Sequence, residues 1–258
     1  TAILQVNADD MTTDVPAGSA LVEFGSGSSQ KTEILLQAMP DLYAYVPIDV
    51  SPSALDEAGA RLKGRFPELN IHPICADFSK PTNLPETLRA RPKVGFFPGS
   101  TIGNFQRGEA QALLDTFRVD LQPGGRLVVG VDLVKDRSVL HLAYDDRAGV
   151  TADFNLNILA RINRAFGATL DLDAFSHEAR FNEAKSRIEM HLVSNREQII
   201  EVLGQRFSMH AGETIHTENS HKYTIAGFGE LAATAGWRTD NVWTDEDSLF
   251  SVHELISD

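Results

Sequence analysis

Val22-Glu23-Phe24-Gly25-Ser26-Gly27-Ser28-Ser29-Gln30-Lys31 is followed eighteen residues later by Asp49, which ends a second apolar run, Tyr45-Val46-Pro47-Ile48. Gly25 and Gly27 let a backbone loop press on a ligand with no Cβ in the way. An acidic residue ending the next strand can accept both hydroxyls of a ribose. This is the layout of an adenosine-binding strand-loop-helix-strand unit. A dinucleotide loop would carry a third glycine to admit a pyrophosphate, but that position holds Gln30, and Glu23 precedes the loop. A carboxylate at residue 23 repels phosphate and suits a ligand bearing positive charge, such as S-adenosylmethionine with its sulfonium and α-ammonium groups. The loop therefore points to methyl transfer over hydride transfer.

Further along come other side chains able to do chemistry. In Cys75-Ala76-Asp77-Phe78, a carboxylate can accept from an adenine amine while the aromatic packs on the ring; the competing reading is an Asp-capped loop with a core phenylalanine. Pro98-Gly99-Ser100-Thr101-Ile102-Gly103-Asn104 follows an apolar run and forms a tight, donor-rich turn suited to a small polar substrate. Asn104 is equally suited to capping a helix. Tyr144, in a segment with Asp145, Asp146 and Asp153, can donate to a carboxylate or lay its ring against a methylated ammonium. The three aspartates read singly as helix-start residues on a solvated face. Glu218 and Ser220 stand two apart, so an extended backbone puts both on one side, where an acceptor and a hydroxyl can hold a ring bearing N–H groups. A metal reading of His216-Thr217-Glu218 is disfavoured, because the chain has one cysteine and so no Pro-Cys-x-x-Cys partner, and no His-Glu-x-x-His segment is present.

The elements that must position these groups follow from periodicity. Strands are expected at Ala20–Val22, Ala44–Asp49, Asn70–Cys75, Val94–Phe97 and Gly125–Val131. Helices are expected at Ser29–Met39, Ser53–Phe66 and Arg107–Val119, with Ser51-Pro52 as a helix start. Strands alternating with helices mean an α/β fold with a parallel, doubly wound sheet. From Lys135 to Lys222 the rhythm breaks into one long helix, Val150–Phe166, and antiparallel strands at Arg187–Val193 and Arg206–Ala211. It returns with a helix at Ile225–Ala235 and strands at Arg238–Thr244 and Leu249–Leu255. Residues 135–222 thus read as an inserted α+β substrate-binding domain in a sheet domain formed by residues 1–134 and 223–258. Insertions near the carboxyl edge of a parallel sheet usually cover a substrate.

Bulk properties narrow the partners. A net charge of −13 with no basic run argues against nucleic acid or an anionic membrane and leaves a small zwitterionic or cationic substrate. One cysteine, Cys75, permits no internal disulfide, which fits a reducing, cytoplasmic setting. The chain begins at Thr1, within what reads as the middle of a helix, so an N-terminal segment is expected before it.

Taken together, the residues resemble the histidine-specific S-adenosylmethionine-dependent methyltransferases of ergothioneine biosynthesis, which make the trimethylated betaine hercynine. The resemblance runs through Glu23-Phe24-Gly25-Ser26-Gly27 with Lys31, Asp77-Phe78, Gly99 to Asn104, Asp132-Leu133-Val134-Lys135, Tyr144-Asp145-Asp146 and Arg187-Ile188-Glu189-Met190. It implies a class I methyltransferase Rossmann-like sheet and S-adenosyl-L-methionine held by Gly25, Lys31, Asp49, Asp77 and Phe78. It further implies that Asn104 and Tyr144 hold the amino-acid end of L-histidine and act catalytically by orienting its amine. Glu218 and Ser220 would hold the imidazole and Met190 would shape the side-chain pocket; no metal is implied. The family's N-terminal segment would add tyrosines to that pocket. The alternatives are an N-methyltransferase of another aromatic amino acid, a non-catalytic S-adenosylmethionine-binding module and, third, a nicotinamide dehydrogenase.

Overall fold

The computed structural model describes residues 1–27 and 30–257. Two compact units emerge, one made of Thr1–Leu133 with Tyr223–Asp258 and one of Val134–Lys222. The first opens with α1 (Ala2–Thr12), β1 (Ala20–Phe24), α2 (Thr32–Ala38), β2 (Ala44–Asp49), α3 (Pro52–Arg65) and β3 (Ile74–Cys75). It continues through a single turn, α4 (Glu86–Arg89), to β4 (Lys93–Phe97), α5 (Arg107–Leu121) and β5 (Arg126–Asp132). The second unit contributes α6 (Arg137–Tyr144), α7 (Val150–Phe166), β6 (Phe175–Asn182), β7 (Arg187–Ser194), β8 (Gln198–Val202), β9 (Gln205–Met209) and β10 (Thr214–His221). The first unit then closes with α8 (Ile225–Thr234), β11 (Trp237–Thr244) and β12 (Phe250–Ser257). Of the helix expected at Ser29–Met39, Ser29 lies outside the described residues.

In the first unit the strand order among the described residues is β11-β12-β5-β4-β1-β2-β3. The strands from β5 to β3 run parallel, and β12 and β11 are added antiparallel. All five residues of β1 and of β4 are buried, as a parallel sheet covered on both faces requires. The strand period of two sorts the side chains into two cores. Ala20, Val22, Phe24, Val46 and Ile48 pack with Leu113, Phe117 and Phe228 on one face. Leu21, Tyr45, Phe96 and Val128 pack with Leu4, Leu35 and Leu62 on the other. At α3, the Ser51 Oγ accepts from Ala54 N at 3.3 Å, Pro52 opens the helix, and Leu55, Ala58 and Leu62 face inward.

The expected strand at Asn70–Cys75 forms a ladder only at Ile74–Cys75, with a lone bridge from Tyr45 to Ile71. Pro73 has no N–H to give, which limits this outermost strand. The chain leaves the sheet after β5 and returns beside its point of departure. Leu133 and Tyr223 form a parallel bridge, and Tyr223 N donates to Asp132 O at 3.0 Å.

In the second unit, β10, β7 and β6 make an antiparallel sheet and β8 and β9 a separate hairpin. A second helix, α6, stands where none was expected, as do β6, β8 and β10. Helix α7 buries Leu159 with Phe175, Leu192 and Met209. Leu140 of α6 packs with Ala179, Ile188 and Met190, and Tyr144 lies against that group.

Candidate functional site

The strand order places the loops after β1 and β4 side by side at the point where the chain reverses its direction across the sheet, the usual ligand position of such folds. A cavity of about 270 Å³ opens there, lined by Thr1, Glu23, Phe24, Gly25, Ser26, Gln30, Lys31, Phe97, Pro98, Gly99 and Thr101. Gly25 has φ +74°, and a Cβ on it would meet the Phe78 ring at 3.2 Å. The expected cofactor residues Gly25 and Lys31 thus share the cavity wall, with Phe78 directly against Gly25. Asp49 is tied to the same loop: its Oδ2 accepts from Gly27 N at 3.1 Å and its Oδ1 from Ser51 N at 2.9 Å. Each oxygen retains lone-pair capacity for a further donor.

Glu23 lies beneath this loop, 2% exposed, and its Oε2 accepts from the hydroxyls of Thr32, at 2.7 Å, and Tyr45. Burial pushes its carboxyl up to about 7, against the pull of those two hydrogen bonds and of Lys31. Its charge is therefore set by pH near neutrality.

Phe78 meets Phe97 edge-on at 5.6 Å, and Phe97 in turn meets Phe117 at 5.2 Å, so a run of rings anchors it to the core. Asp77 is half exposed and builds a local cap: its Oδ1 accepts from Ser79 N at 3.0 Å and Ser79 Oγ at 2.6 Å. Those bonds hold its carboxyl below the usual range.

After β4 the chain turns through Ser100, at φ +56°, into a short 3-10 helix, Thr101–Asn104. Ser100 Oγ accepts from Asp132 N at 2.9 Å, which ties the turn to the end of β5. Gly130 permits the approach, because a Cβ there would stand 2.2 Å from Pro98 O. Asn104 is exposed, and the residue capping α5 is Gln106, whose N donates to Glu109 Oε2 at 2.8 Å.

In the second unit, Tyr144 ends α6. Its Oη and Ser220 Oγ are 2.7 Å apart, and Lys222 Nζ donates to both, at 2.7 and 2.8 Å. The backbone of Tyr144 is held as well: His177 Nε2 donates to Tyr144 O at 2.7 Å. His177 Nδ1 accepts from Nδ2 of the fully buried Asn155 at 2.9 Å, which fixes the tautomer. Lys222 was not foreseen, although it continues the two-residue spacing of Glu218 and Ser220.

A register shift between His216 and Glu218 leaves Thr217 as the extra residue, its hydroxyl donating to Met190 O at 3.0 Å. His216 pairs with His191, and Glu218 with Met190, so His216 and Glu218 face opposite sides of the sheet although they are two apart. Glu218, Ser220 and Met190 share a face. Aspartate 146 caps α7, accepting from Val150 N at 3.1 Å and Thr151 N at 2.9 Å.

On the other face, Glu189, His191 and His216 bring ligand atoms within 4.8 Å of one another. Arg187 already grips Glu189 Oε1 through Nε at 2.8 Å and a second nitrogen at 2.5 Å. A dication there would sit beside this guanidinium. Among the described residues, no helix is long and apolar enough to cross a membrane.

A sequence profile described as "Histidine-specific methyltransferase, SAM-dependent" matches residues 1–257. The chain is 43% identical over 241 residues to a histidine N-alpha-methyltransferase of Mycolicibacterium smegmatis, covering 90% of this chain and 73% of that protein. It is 40% identical to the protein of the same name from Mycobacterium tuberculosis, with the same coverage. Ergothioneine biosynthesis protein 1 of Neurospora crassa is 28% identical over 94% of this chain and 28% of its own length. Among solved structures, the CcbJ methyltransferase of Streptomyces caelestis aligns with a TM-score of 0.59 at 16% identity, over 100% of this chain and 97% of its own. That likeness identifies the class I methyltransferase fold.

Proposed function

Because this chain belongs to the histidine-specific, S-adenosylmethionine-dependent methyltransferases, we propose that it methylates the α-amine of L-histidine in ergothioneine biosynthesis, in steps leading to hercynine. It is an enzyme of the methyltransferase class. The observation that carries the histidine reading is the face of β10 on which Glu218 and Ser220 stand together opposite Met190 and Ile188. A carboxylate and a hydroxyl so placed suit a ring with polar nitrogens. A ring without an N–H would offer Glu218 no donor.

When bound, S-adenosyl-L-methionine supplies a methyl group made electrophilic by its sulfonium. The residues assigned to hold it are Gly25, Lys31, Asp49, Asp77 and Phe78. The fit rests on the Cβ-free approach at Gly25 and on the lone pairs that Asp49 still offers to ribose hydroxyls. The cap formed with Ser79 leaves Asp77 ionised as an acceptor for an amine. Asn104 and Tyr144 are assigned to the amino-acid end of histidine, where their task is to orient the uncharged amine and tolerate its growing positive charge. Among the described residues no strong general base stands out, and solvent takes the proton. The single cysteine and the acidic charge fit a cytoplasmic enzyme acting on a small amino acid.

Two measurements test this. Incubation with histidine and S-adenosylmethionine is expected to give product masses rising in methyl steps; product from tryptophan and none from histidine would assign another aromatic amino acid. In calorimetric titrations, Glu218→Ala is expected to weaken histidine binding by about 100-fold, the scale of a charged acceptor lost from a buried hydrogen bond, and to leave S-adenosylhomocysteine binding unchanged. Equal losses for both ligands would remove Glu218 from the substrate site.

A further inference from the structure

Lys222 is 3% exposed, and its backbone is clamped at both ends: Lys222 N donates to Ser186 O at 2.8 Å and Ser186 Oγ donates to Lys222 O at 3.1 Å. Its ammonium stands 2.7 Å from Tyr144 Oη and 2.8 Å from Ser220 Oγ, and those two oxygens are 2.7 Å from each other. The ammonium lies 4.5 Å from the Tyr144 ring centroid, so it engages the oxygen more closely than the ring face.

Proton counting within this triangle is restrictive. An ammonium has no lone pair, so both oxygens must accept from it. The two hydroxyls carry two protons, and the contact between them consumes one. A phenol is a much stronger acid than an aliphatic alcohol, so tyrosine is the better donor and serine the better acceptor. With Tyr144 donating, Ser220 Oγ accepts twice and its own proton has no acceptor inside the triangle. The reverse arrangement would make a phenolic oxygen, whose lone pair is partly delocalised into the ring, accept twice while donating once.

We infer that Lys222 is a positioning residue that fixes Ser220 as a hydrogen-bond donor toward the substrate ring. Glu218 as acceptor and Ser220 as donor then read a neutral imidazole, with one N–H and one bare nitrogen. This deepens the reading of Glu218 and Ser220 as the ring-holding pair and rests on it. A ring with an N–H and no bare nitrogen leaves the Ser220 proton unpaired. Without the ammonium, Ser220 can turn its proton to Tyr144 and the penalty shrinks.

The test compares L-histidine with pyrrolylalanine, an isostere in which one ring nitrogen is carbon. Lys222→Met is expected to raise KM for histidine about tenfold with little change in kcat, and to lower the histidine-to-pyrrolylalanine ratio of kcat/KM about tenfold, the worth of one unpaired hydrogen bond. Ser220→Ala is expected to lower the ratio similarly, and the double variant to lower it no further. A wild-type ratio in Lys222→Met beside a reduced one in Ser220→Ala overturns the role of Lys222. An unchanged ratio in Ser220→Ala instead overturns the ring-holding reading, and the inference falls with it. On the unaltered protein with S-adenosylhomocysteine, nitrogen NMR of bound, ring-labelled histidine is expected to show one protonated and one bare ring nitrogen. Two protonated nitrogens overturn the inference without recourse to any variant.

Discussion

Glu23 shows how much a single side chain's meaning depends on what folding puts around it. From the sequence it reads as a fixed negative charge ahead of the glycine loop, an attraction for a sulfonium. In the fold its oxygen is shared by Thr32 and Tyr45, and burial raises its carboxyl to about 7. Below that pH it is neutral; above it the charge is present. S-adenosylmethionine carries a sulfonium charge that S-adenosylhomocysteine lacks. The affinity ratio of the two is therefore expected to move in favour of S-adenosylmethionine as pH rises through about 7. The expected change is about fivefold, the scale of a partly screened unit-charge interaction of ~1 kcal/mol. Glu23→Gln should flatten that dependence, and parallel pH profiles for both ligands in the unaltered protein would remove Glu23 from the electrostatics of the site. Residue types at the loop were legible because glycine and aspartate act there through local backbone chemistry. The state of Glu23 was not, since it depends on burial and on where the neighbouring strand puts Tyr45 and the next helix puts Thr32. Lys222 escaped notice for a similar reason: Tyr144, its partner, lies far away in sequence.

At the level of elements, legibility followed hydrophobic contrast. Helix α7 was expected at Val150–Phe166 and stands there, because its apolar residues recur at helical spacing and Gly149 and Gly167 bound it with positive φ. Strand β10, Thr-Ile-His-Thr-Glu-Asn-Ser-His, was missed as a strand because it carries polar groups on both faces. Its bulge at Thr217 was also invisible, since an extra residue in a ladder leaves no mark in composition. The loop from Pro98 to Asn104 was read as a turn rich in donors, but not the approach that sets it. Gly130 lets Pro98 O come within 2.2 Å of where a Cβ would stand, and the Phe250 ring within 3.0 Å. Gly130→Ala is expected to lower stability by about 2–3 kcal/mol through overpacking. It should also weaken S-adenosylhomocysteine binding, since Pro98 lines the cavity. Denaturant titration and calorimetry check the two effects, and an Ala variant of native stability would show that the strand ends can part at no cost.

For the molecule as a whole, buried groups of the first unit oppose one another in acid. Glu23, with its carboxyl at about 7 against an ordinary 4.5, adds stability that is complete below 4.5 and is lost as pH rises to 7. Asp120, pushed by burial to about 6, has the same sign. His253 runs the other way: burial lowers its imidazole from 6.5 to about 4, so its contribution is complete above 6.5 and is lost as pH falls toward 4. Between pH 4.5 and 6.5 the slopes offset in part. Denaturant unfolding across that window is expected to give a shallow profile for the unaltered protein. His253→Leu should make stability fall more steeply as pH rises, and Glu23→Gln should tilt the profile toward rising; identical profiles for all three would show that neither group titrates with folding. The α/β order was readable from the rhythm of strands and helices, whereas these opposed burials were not, being properties of depth. The bridge between Leu133 and Tyr223 has a further consequence. It shuts the excursion at its base, and the entropy of closing a loop grows only logarithmically with its length. The segment closed by that bridge can be lengthened, rewritten or exchanged with small effect on the folding of the sheet. In evolutionary terms, the segment is a cassette, open to rewriting without disturbing the sheet that carries it.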